Sequence, residues 1–425
     1  MKTTTHTLAN GLRTILIDTK AFPSLTVLLL VGAGSRYENS NNNGVAHFFE
    51  HMAFKGSKKY PNSFTITSTV ESLGGVFNAY TSKDHTGYWI KATAEHFATM
   101  VDVIADMVQR PLLEKQEIER EKGVIVEEIN LYEDTPYRRV NEVFEMLLYP
   151  DSPLGYDIAG SKETVRSFNH ETFTSYIDTL YHPKNAALVV AGGMNASQKY
   201  EALIDEKFGA WENGKKAGFE KVHEKQSKPQ IVLKYKKTEQ AHFCLGFRAF
   251  SFFDDRRHGL SVLSTMLGGG MSSPLFIEVR ERRGLCYYIS TSKELYHDVG
   301  NIVTQAGITN NVDKVKEAIE VILKEHKKIT KGQFKKEDLA KAKELIKGRL
   351  LLSLEDSFNT ASFFGTQIIR GEREESIEKY IRDIEATTGD QIIAVAQELF
   401  VPSRLNFAMI GPFHEKKVFE EHLVL

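Results

Sequence analysis

One short segment places apolar and ionisable residues at helical spacing, and it reads Gly44-Val45-Ala46-His47-Phe48-Phe49-Glu50-His51-Met52-Ala53-Phe54. On a helix, residues i and i+4 lie on one face about 5–6 Å apart at Cβ, so His47 and His51 can direct two imidazoles at one metal ion. Glu50 shares that face, where it can hold a water molecule without ligating the metal. That is the position of a general base beside a Lewis acid. The segment therefore predicts a catalytic metal site on a helix.

Chance is the alternative explanation, because a chain with 14 histidines would contain this pattern in roughly 4% of cases. The neighbours Ala46, Phe48 and Phe49 make the helix largely apolar, and unpaired ionisable groups would be costly there. A bound metal accounts for the two histidines and the glutamate. We prefer it to the alternative that these are exposed or merely hydrogen-bonded side chains.

Two histidines and a water molecule leave a tetrahedral zinc one ligand short, and a carboxylate from another element usually completes such a site. A second helical segment, over residues 117–131, contains five glutamates: Glu117, Glu119, Glu121, Glu127 and Glu128. Most of them belong to a solvated face. Glu121 and Glu128 are two helical turns apart on one stripe, so one can ligate while the other supports. Spacing also leaves Glu127 open as the ligand if the helix is irregular.

The composition is that of a soluble globular protein, with 41% hydrophobic and 26% charged residues. A formal net charge of -2 provides no basic field for a nucleic acid or an anionic membrane. The N-terminus lacks the apolar core of a secretory signal, and the apolar run at 25–31 is too short for a membrane helix and fits a buried strand. We therefore expect a cytoplasmic protein with neither nucleic-acid nor membrane partners. Cys244 and Cys286 are too few for a disulfide framework or a cysteine-based zinc site.

The order of patterns along the chain is sheet, helices, sheet, helices, which indicates an α+β fold. The stretch 211–229 is rich in Gly, Lys, Glu and Ser and has no sustained apolar period. We predict a catalytic zinc-binding domain at 1–215, a linker at 216–229 and a second domain at 230–425.

The two halves also show a weak internal repeat. Residues 230–233 and 242–245 repeat the opening strand patterns, and Gly259 begins a helical segment as Gly44 does. Laying Gly44 on Gly259 puts Val262, Thr265 and Met266 opposite His47, Glu50 and His51. Only the first copy then carries ionisable chemistry.

The order His47-Phe48-Phe49-Glu50-His51, reversed from the commoner His-Glu-x-x-His, resembles the inverzincin signature of the pitrilysin family of zinc metallopeptidases. The distance from His51 to Glu128 is similar to the family's spacing to its third ligand, and Glu121 matches a second glutamate of the family. The resemblance implies one zinc ion per chain, held by His47, His51 and Glu128. It makes Glu50 the base and gives Glu121 the task of orienting a ligand histidine.

Further segments at 34–38, 74–81 and 181–185 resemble the family, so the likeness covers nearly the whole chain. It implies that Asn78, Ala79 and Tyr80 lie on an edge strand that pairs with the substrate backbone. Main-chain hydrogen bonds of this kind select extended peptides with little regard for sequence. From the residues alone, Asn78 can equally be a simple turn residue.

In the second half, Arg280 and Tyr287 resemble an arginine and tyrosine pair of the family. The resemblance implies that they face the zinc, bind substrate carbonyls and stabilise an oxyanion. Without it, the run 280–283 is typical of a solvated basic surface. The stretch 268–273 lacks the Gly-Lys-Ser/Thr of a nucleotide loop and resembles a glycine-rich loop of the family, with Pro274 where many relatives have a basic residue.

The resemblance implies two homologous domains, each a mostly antiparallel or mixed sheet packed with helices. The length is similar to the short branch of bacterial processing-type peptidases and mitochondrial processing peptidase subunits, in which two chains enclose a chamber. We expect a zinc endopeptidase of oligopeptides or extended segments, acting as a homodimer or as a heterodimer with an inactive relative. The alternatives are a non-catalytic scaffold or partner subunit, which typically lacks the motif, and a metal-binding regulator without hydrolysis.

Overall fold

The computed structural model describes residues 1–195, 197–214, 218–371 and 375–425. Within these ranges the chain forms two β-sheets packed with helices, which confirms the predicted α+β fold. No helix among the described residues combines the length and the apolar character needed to cross a bilayer.

The first sheet has six strands: β1 (Lys2–Thr7), β2 (Arg13–Asp18), β3 (Ser24–Val31), β4 (Val76–Thr81), β5 (Thr86–Thr93) and β6 (Ala186–Gly192). Their order is β1-β2-β6-β3-β5-β4. The second sheet has five strands: β7 (Gln230–Tyr235), β8 (Gln240–Ala249), β9 (Cys286–Leu295), β10 (Gly300–Thr309) and β11 (Leu405–Gly411). Their order is β7-β11-β8-β10-β9. Strands β4 and β9 therefore lie at sheet edges.

The helices of the first half are α1 (Val45–Ala53), α2 (Ser63–Ser72), α3 (Phe97–Gln109), α4 (Lys115–Glu133), α5 (Pro136–Leu148), α6 (Lys162–Ser167), α7 (His170–Leu180) and α8 (Tyr200–Phe208). Those of the second half are α9 (Arg257–Gly268), α10 (Val312–Thr330), α11 (Lys336–Ser353), α12 (Ser357–Arg370), α13 (Ile377–Ala386), α14 (Gly389–Leu399) and α15 (Lys417–Glu420). A π-helical segment, Phe276–Glu281, precedes β9.

Apart from β1, the two sheets share one topology. We count the five corresponding strands of each sheet in chain order, from β2 in the first sheet and from β7 in the second. The first of the five pairs in parallel with the last. From the last strand, the sheet continues through the second, the fourth and the third, and each of these neighbours is antiparallel. Five strands in the same unusual order agree with the internal repeat in the sequence.

The chain forms two compact units, and neither is continuous in sequence. The first contains 1–130, 156–220 and 352–375, and the second contains 131–155, 221–351 and 376–425. As a result α5, from the first half of the chain, packs on β7, β8 and β11, while α12, from the second half, packs on β3 and β6. Each half of the chain lends one helix to the sheet of the other half.

One passage between the units, at Glu220 and Lys221, falls inside the predicted linker 216–229. Lys216 and Ala217 of that linker, with Lys215 before it, lie outside the described residues. The exchange of α5 and α12 was not predicted. The linear division at 216–229 stays a prediction of where the two copies join.

Strand β3 shows why the run 25–31 is so apolar. Leu25, Val27, Leu29 and Val31 belong to the hydrophobic core of the first unit. Leu28 and Leu30 alternate with them and are equally buried on the other face, which α12 covers. A strand buried on both faces needs apolar residues at nearly every position, and the buried exception, Thr26, shares a hydrogen bond with Ser357 of α12.

Candidate active site

Helix α1 begins at a buried carboxylate. Glu38 Oε1 accepts a hydrogen bond from Ala46 N and Oε2 accepts one from Gly44 N, each at 2.8 Å. These groups are among the unpaired N–H donors of the first helical turn, which a carboxylate satisfies well. Burial raises the pKa of Glu38 to about 7, against the opposing effect of these hydrogen bonds. Gly44 has φ 100°, and a Cβ there would lie 2.8 Å from Ala159 O, so the turn into α1 requires glycine.

One face of α1 fixes the helix in the core, and the other presents the ionisable residues. The buried face consists of Val45, Ala46, Phe48, Phe49, Met52 and Ala53. The side chains of His47 and His51 are 11% and 22% exposed, and their ring centroids lie 4.7 Å apart. The predicted helix and the predicted orientation of its two histidines are thus present in the structure.

The structure brings His47, His51 and Glu128 together. Glu128 Oε2, from α4, lies 3.6 Å from His47 Nε2 and 3.5 Å from His51 Nε2. Zinc bonds of about 2.0–2.2 Å at tetrahedral angles put neighbouring donor atoms about 3.3–3.6 Å apart. Two imidazole nitrogens and one carboxylate oxygen therefore have the spacing and the chemistry that a catalytic zinc requires.

Glu121 lies behind His51 and is 2% exposed. Its Oε1 lies 2.9 Å from His51 Nδ1, and its Oε2 lies 2.5 Å from Lys55 Nζ. Burial raises the pKa of the Glu121 carboxyl, but the hydrogen bonds from His51 and Lys55 outweigh it and the net shift is downward. A carboxylate beside Nδ1 favours the tautomer that donates there, which leaves Nε2 as the atom for a metal.

The other glutamates of α4 do not join this group. Glu127 is exposed, and the set of converging donor atoms contains Glu128 instead. Glu117 and Glu119 pair with Arg120 and Lys122 along the helix. These contacts are those of a solvated face.

Glu50 follows His47 by three residues on α1, so its carboxylate lies on the side of the helix that carries the donor group. Burial lowers the pKa of the His47 imidazole, but Glu128 and, to a smaller extent, Glu50 raise it, and the net shift is upward. Glu50 Oε2 accepts a hydrogen bond from Thr81 Oγ1 at 2.6 Å. Thr81 is the last residue of β4, so this bond joins the helix to the edge strand.

The edge strand β4 contains all three residues predicted to contact a peptide. Ser82 N donates to His85 O. From there along β4, residues whose backbone groups bond to β5 alternate with residues whose backbone groups point away from it. Ala79 consequently points its backbone groups away from β5, and its N–H instead meets Asn78 Oδ1 at 2.9 Å. Asn78 and Tyr80 direct their backbone groups toward β5.

The Tyr80 side chain lies on the face of the sheet opposite α1, where its ring contacts Phe358 of α12. The structure thus brings Ala79 to the open edge near Glu50. It does not bring the Tyr80 side chain there.

Arg280 and Tyr287 lie together in the second unit. The Arg280 guanidinium carbon is 5.3 Å from the centre of the Tyr287 ring and 4.6 Å from that of Phe276. Tyr287 is 75% exposed on the edge strand β9. A cation over an exposed phenol is available to a ligand, and the predicted role of this pair toward the zinc stays a prediction.

Sequence reasoning missed three residues of the site: Glu38, Lys55 and Thr81. Lys55 follows His51 by one helical turn, a spacing that marks it as a neighbour of the same face. Nothing local marks Glu38 as the cap of α1 or Thr81 as the partner of Glu50, because both contacts depend on the packing of separate elements.

The chain matches two family models that together cover most of its length. Residues 13–162 match the model for insulinase (peptidase family M16), and residues 167–346 match the model for the peptidase M16 inactive domain. The Bacillus subtilis protein named uncharacterized zinc protease YmxG is 34% identical over 96% of this chain and 98% of its own length. An uncharacterized zinc protease of Mycobacterium tuberculosis is 31% identical over 98% of this chain and 95% of its own length.

Solved structures show the same fold. A protease from Helicobacter pylori superposes with a TM-score of 0.90 at 23% identity, covering 97% of this chain and 100% of that one. A putative M16-like peptidase from Alicyclobacillus acidocaldarius has a TM-score of 0.84 at 24% identity, covering 97% and 98%. With the family models and the curated relatives, these matches confirm the resemblance in the sequence: the chain belongs to peptidase family M16, the insulinase family.

Proposed function

We propose that this chain is a zinc-dependent endopeptidase that cleaves extended peptides. The observation that carries the proposal is the convergence of His47 Nε2, His51 Nε2 and Glu128 Oε2 beside the carboxylate of Glu50. Relatives that carry the name zinc protease support it.

His47, His51 and Glu128 would hold one zinc ion per chain. When bound, zinc supplies Lewis acidity toward a peptide carbonyl and an attacking water. Glu121 and Lys55 keep the His51 ring in place through the hydrogen bond at Nδ1. This support makes the metal site a property of α1 and α4 together.

Glu50 would act as the general base and then as the general acid. With Oε2 engaged by Thr81, Oε1 takes a proton from the attacking water and later gives it to the amide nitrogen that leaves. Proton transfer to a group held within hydrogen-bond reach contributes about 10²–10⁴ in rate. Loss of the base alone should therefore abolish most turnover.

The open edge of β4 would bind the substrate as an added strand. Every second residue of β4 directs its backbone N–H and C=O groups away from β5, toward the open edge. These residues are Phe77, Ala79 and Thr81. A peptide paired there would have its backbone beside Glu50. Recognition through the main chain favours unfolded or short substrates over folded proteins.

Arg280 and Tyr287 would complete the site by donating to substrate carbonyls and to the oxyanion. We further propose a dimer in which two chains enclose a chamber, with the first domain of one chain facing the second domain of its partner. The partner would be another copy or an inactive relative.

Purified chain incubated with a peptide library, followed by mass-spectrometric mapping of the cuts, tests the proposal. Zinc content and solution mass are measured on the same sample, and Glu50→Gln is the matched control for contaminating proteases. We expect cuts with the parent chain, none with the control, and loss of cutting on chelation that zinc restores. A zinc-loaded parent chain that leaves the library intact would favour the scaffold or a metal-binding regulator instead.

A further inference from the structure

The Glu50 carboxylate has an asymmetric environment. Oε2 accepts from Thr81 Oγ1 at 2.6 Å, while Oε1 makes no hydrogen bond within the described part of the chain. The two oxygens are chemically equivalent in a free carboxylate. The structure distinguishes them through one hydroxyl group.

The Thr81 hydroxyl is well suited to fix that carboxylate. A hydroxyl has a single hydrogen to donate, and a bond to a carboxylate is charge-assisted, so it is shorter and stronger than a bond between neutral groups. Threonine is also restricted at χ1, and its two neighbours, Tyr80 and Ser82, fix its backbone by pairing with Gly87 and His85. The terminal torsion of a glutamate, by contrast, is broad and two-fold.

The other hydroxyl groups behind Glu50 are engaged with one another or with the backbone. Thr86 Oγ1 donates to Ala33 O at 2.7 Å and lies 3.5 Å from Thr81 Oγ1, which is a longer contact. The hydroxyl oxygens of Tyr88 and Tyr181 are 3.0 Å apart. Burial raises the pKa of both tyrosines, and the nearby Glu50 carboxylate adds to the rise. The two tyrosine hydroxyls are therefore neutral. Among the hydroxyls of Thr81, Thr86, Tyr88 and Tyr181, only that of Thr81 bonds to Glu50.

A purely structural reason for a threonine here would be packing at the end of a strand. Valine has nearly the same shape and a higher preference for strands, so it would satisfy packing equally well. The hydroxyl is the feature that packing does not explain.

We propose that Thr81 is a positioning residue that holds Glu50 Oε2 so that Oε1 is the oxygen presented to the attacking water. This inference rests on the proposed function, in which Glu50 moves the proton. Without the bond, the carboxylate samples orientations in which neither oxygen is aligned for transfer. Catalysis falls because fewer bound complexes are competent, while zinc and peptide binding stay intact.

The test compares Thr81→Val, which removes only the donor, with Thr81→Ser, which keeps it. For a quenched fluorescent peptide, we expect Thr81→Val to lower kcat about 10- to 100-fold, as for a lost hydrogen bond to a charged group. KM, zinc content and thermal midpoint should stay close to the parent values. Thr81→Ser should keep kcat within about 3-fold of the parent.

A second measurement separates positioning from a role in substrate binding. In the Glu50→Gln background, which binds without cutting, adding Thr81→Val should leave the Kd of the same peptide unchanged. Parent-like kcat in Thr81→Val, a failure of serine to restore kcat, or a weaker Kd would each overturn the inference while leaving the proposed function standing. Absence of turnover by the parent chain would instead refute the proposed function.

Discussion

Helices α1 and α9 occupy matching places in the two units, and they differ in chemistry far more than in packing. With Gly44 laid on Gly259, their burial patterns agree at every position from 45 to 53 except one, at His51 and Met266. Val262, Thr265 and Met266 stand where the first unit has His47, Glu50 and His51. The second helix keeps the apolar face that fixes it in the core, and the three positions that match His47, Glu50 and His51 carry no ionisable group.

The supporting helices α4 and α11 show the same difference. Loops 110–114 and 331–335 are equal in length and lead into them, so Lys115 can be laid on Lys336. Ala342, a buried residue of α11, then stands opposite the buried Glu121, and Arg349 stands opposite Glu128. Arg349 Nη1 donates to Gly269 O at 2.6 Å. The second unit thus has a helix at the matching place, with an arginine where the first unit has Glu128.

The largest expected effect is the loss of metal from the first unit. His47→Ala, His51→Ala and Glu128→Gln each remove a donor atom, so zinc content should fall from about one per chain to near zero, and hydrolysis with it. The matched change Met266→Ala should cost about 2–5 kcal/mol of stability and leave zinc content unchanged. Full zinc occupancy in Glu128→Gln would point to Glu127 as the ligand.

Mixing two inactive variants tests whether the units cooperate across chains. Glu50→Gln disables the first unit and Arg280→Ala the second, so each homodimer should be nearly inactive. If sites are shared between chains, exchange of subunits restores one intact site per mixed dimer. Activity is measured at several mixing ratios after mass spectrometry has verified exchange, and activity that stays at the mutant level would refute the shared site.

A smaller effect is expected for Glu121→Gln. The amide keeps the size of the side chain but accepts more weakly from His51 Nδ1 and no longer pairs with Lys55 as a charge. Changes to such supporting residues typically cost about 10- to 100-fold in metal affinity or activity. Competition with a chelator measures the zinc Kd, with Glu119→Gln on the solvated face of α4 as the control. Equal zinc affinity in both variants would mean that Glu121 does not support the site.

The smallest expected effect is a weak second zinc site built into the second unit. Val262→His, Met266→His and Arg349→Glu together supply the donor set at the matching positions of α9 and α11. We expect zinc content to rise toward two per chain at high zinc concentration, with Val262→His alone as the control. A folded triple variant that still binds one zinc would show that the alignment of α4 with α11 is wrong.

Sequence reasoning identified what depends on local spacing. The histidines of α1 and the stripe of Glu121 and Glu128 on α4 follow from helical geometry, and the structure has both helices. The family resemblance then favoured Glu128, whose oxygen lies between the two imidazoles in the structure.

The remainder depends on contacts between distant segments. Thr81 meets Glu50 because β4 passes beside α1, and Glu38 caps that helix from the preceding loop. Helix α12 covers β3 although hundreds of residues separate them in sequence. No period or spacing in a single chain encodes which element will pack against which.

The exchange of α5 and α12 has a consequence for how the protein is made. Leu28, Leu30 and Val189 lie on one face of the first sheet and are fully buried, because α12 packs on β3 and β6 there. During translation, all strands of that sheet and all donors of the metal site emerge well before Ser357. The nascent first unit must therefore wait, with an apolar face uncovered, until the ribosome has released residue 370. The first unit therefore completes its folding only after most of the second unit has been synthesised. A prematurely terminated chain would expose an apolar surface prone to aggregation, and its first unit would not fold independently.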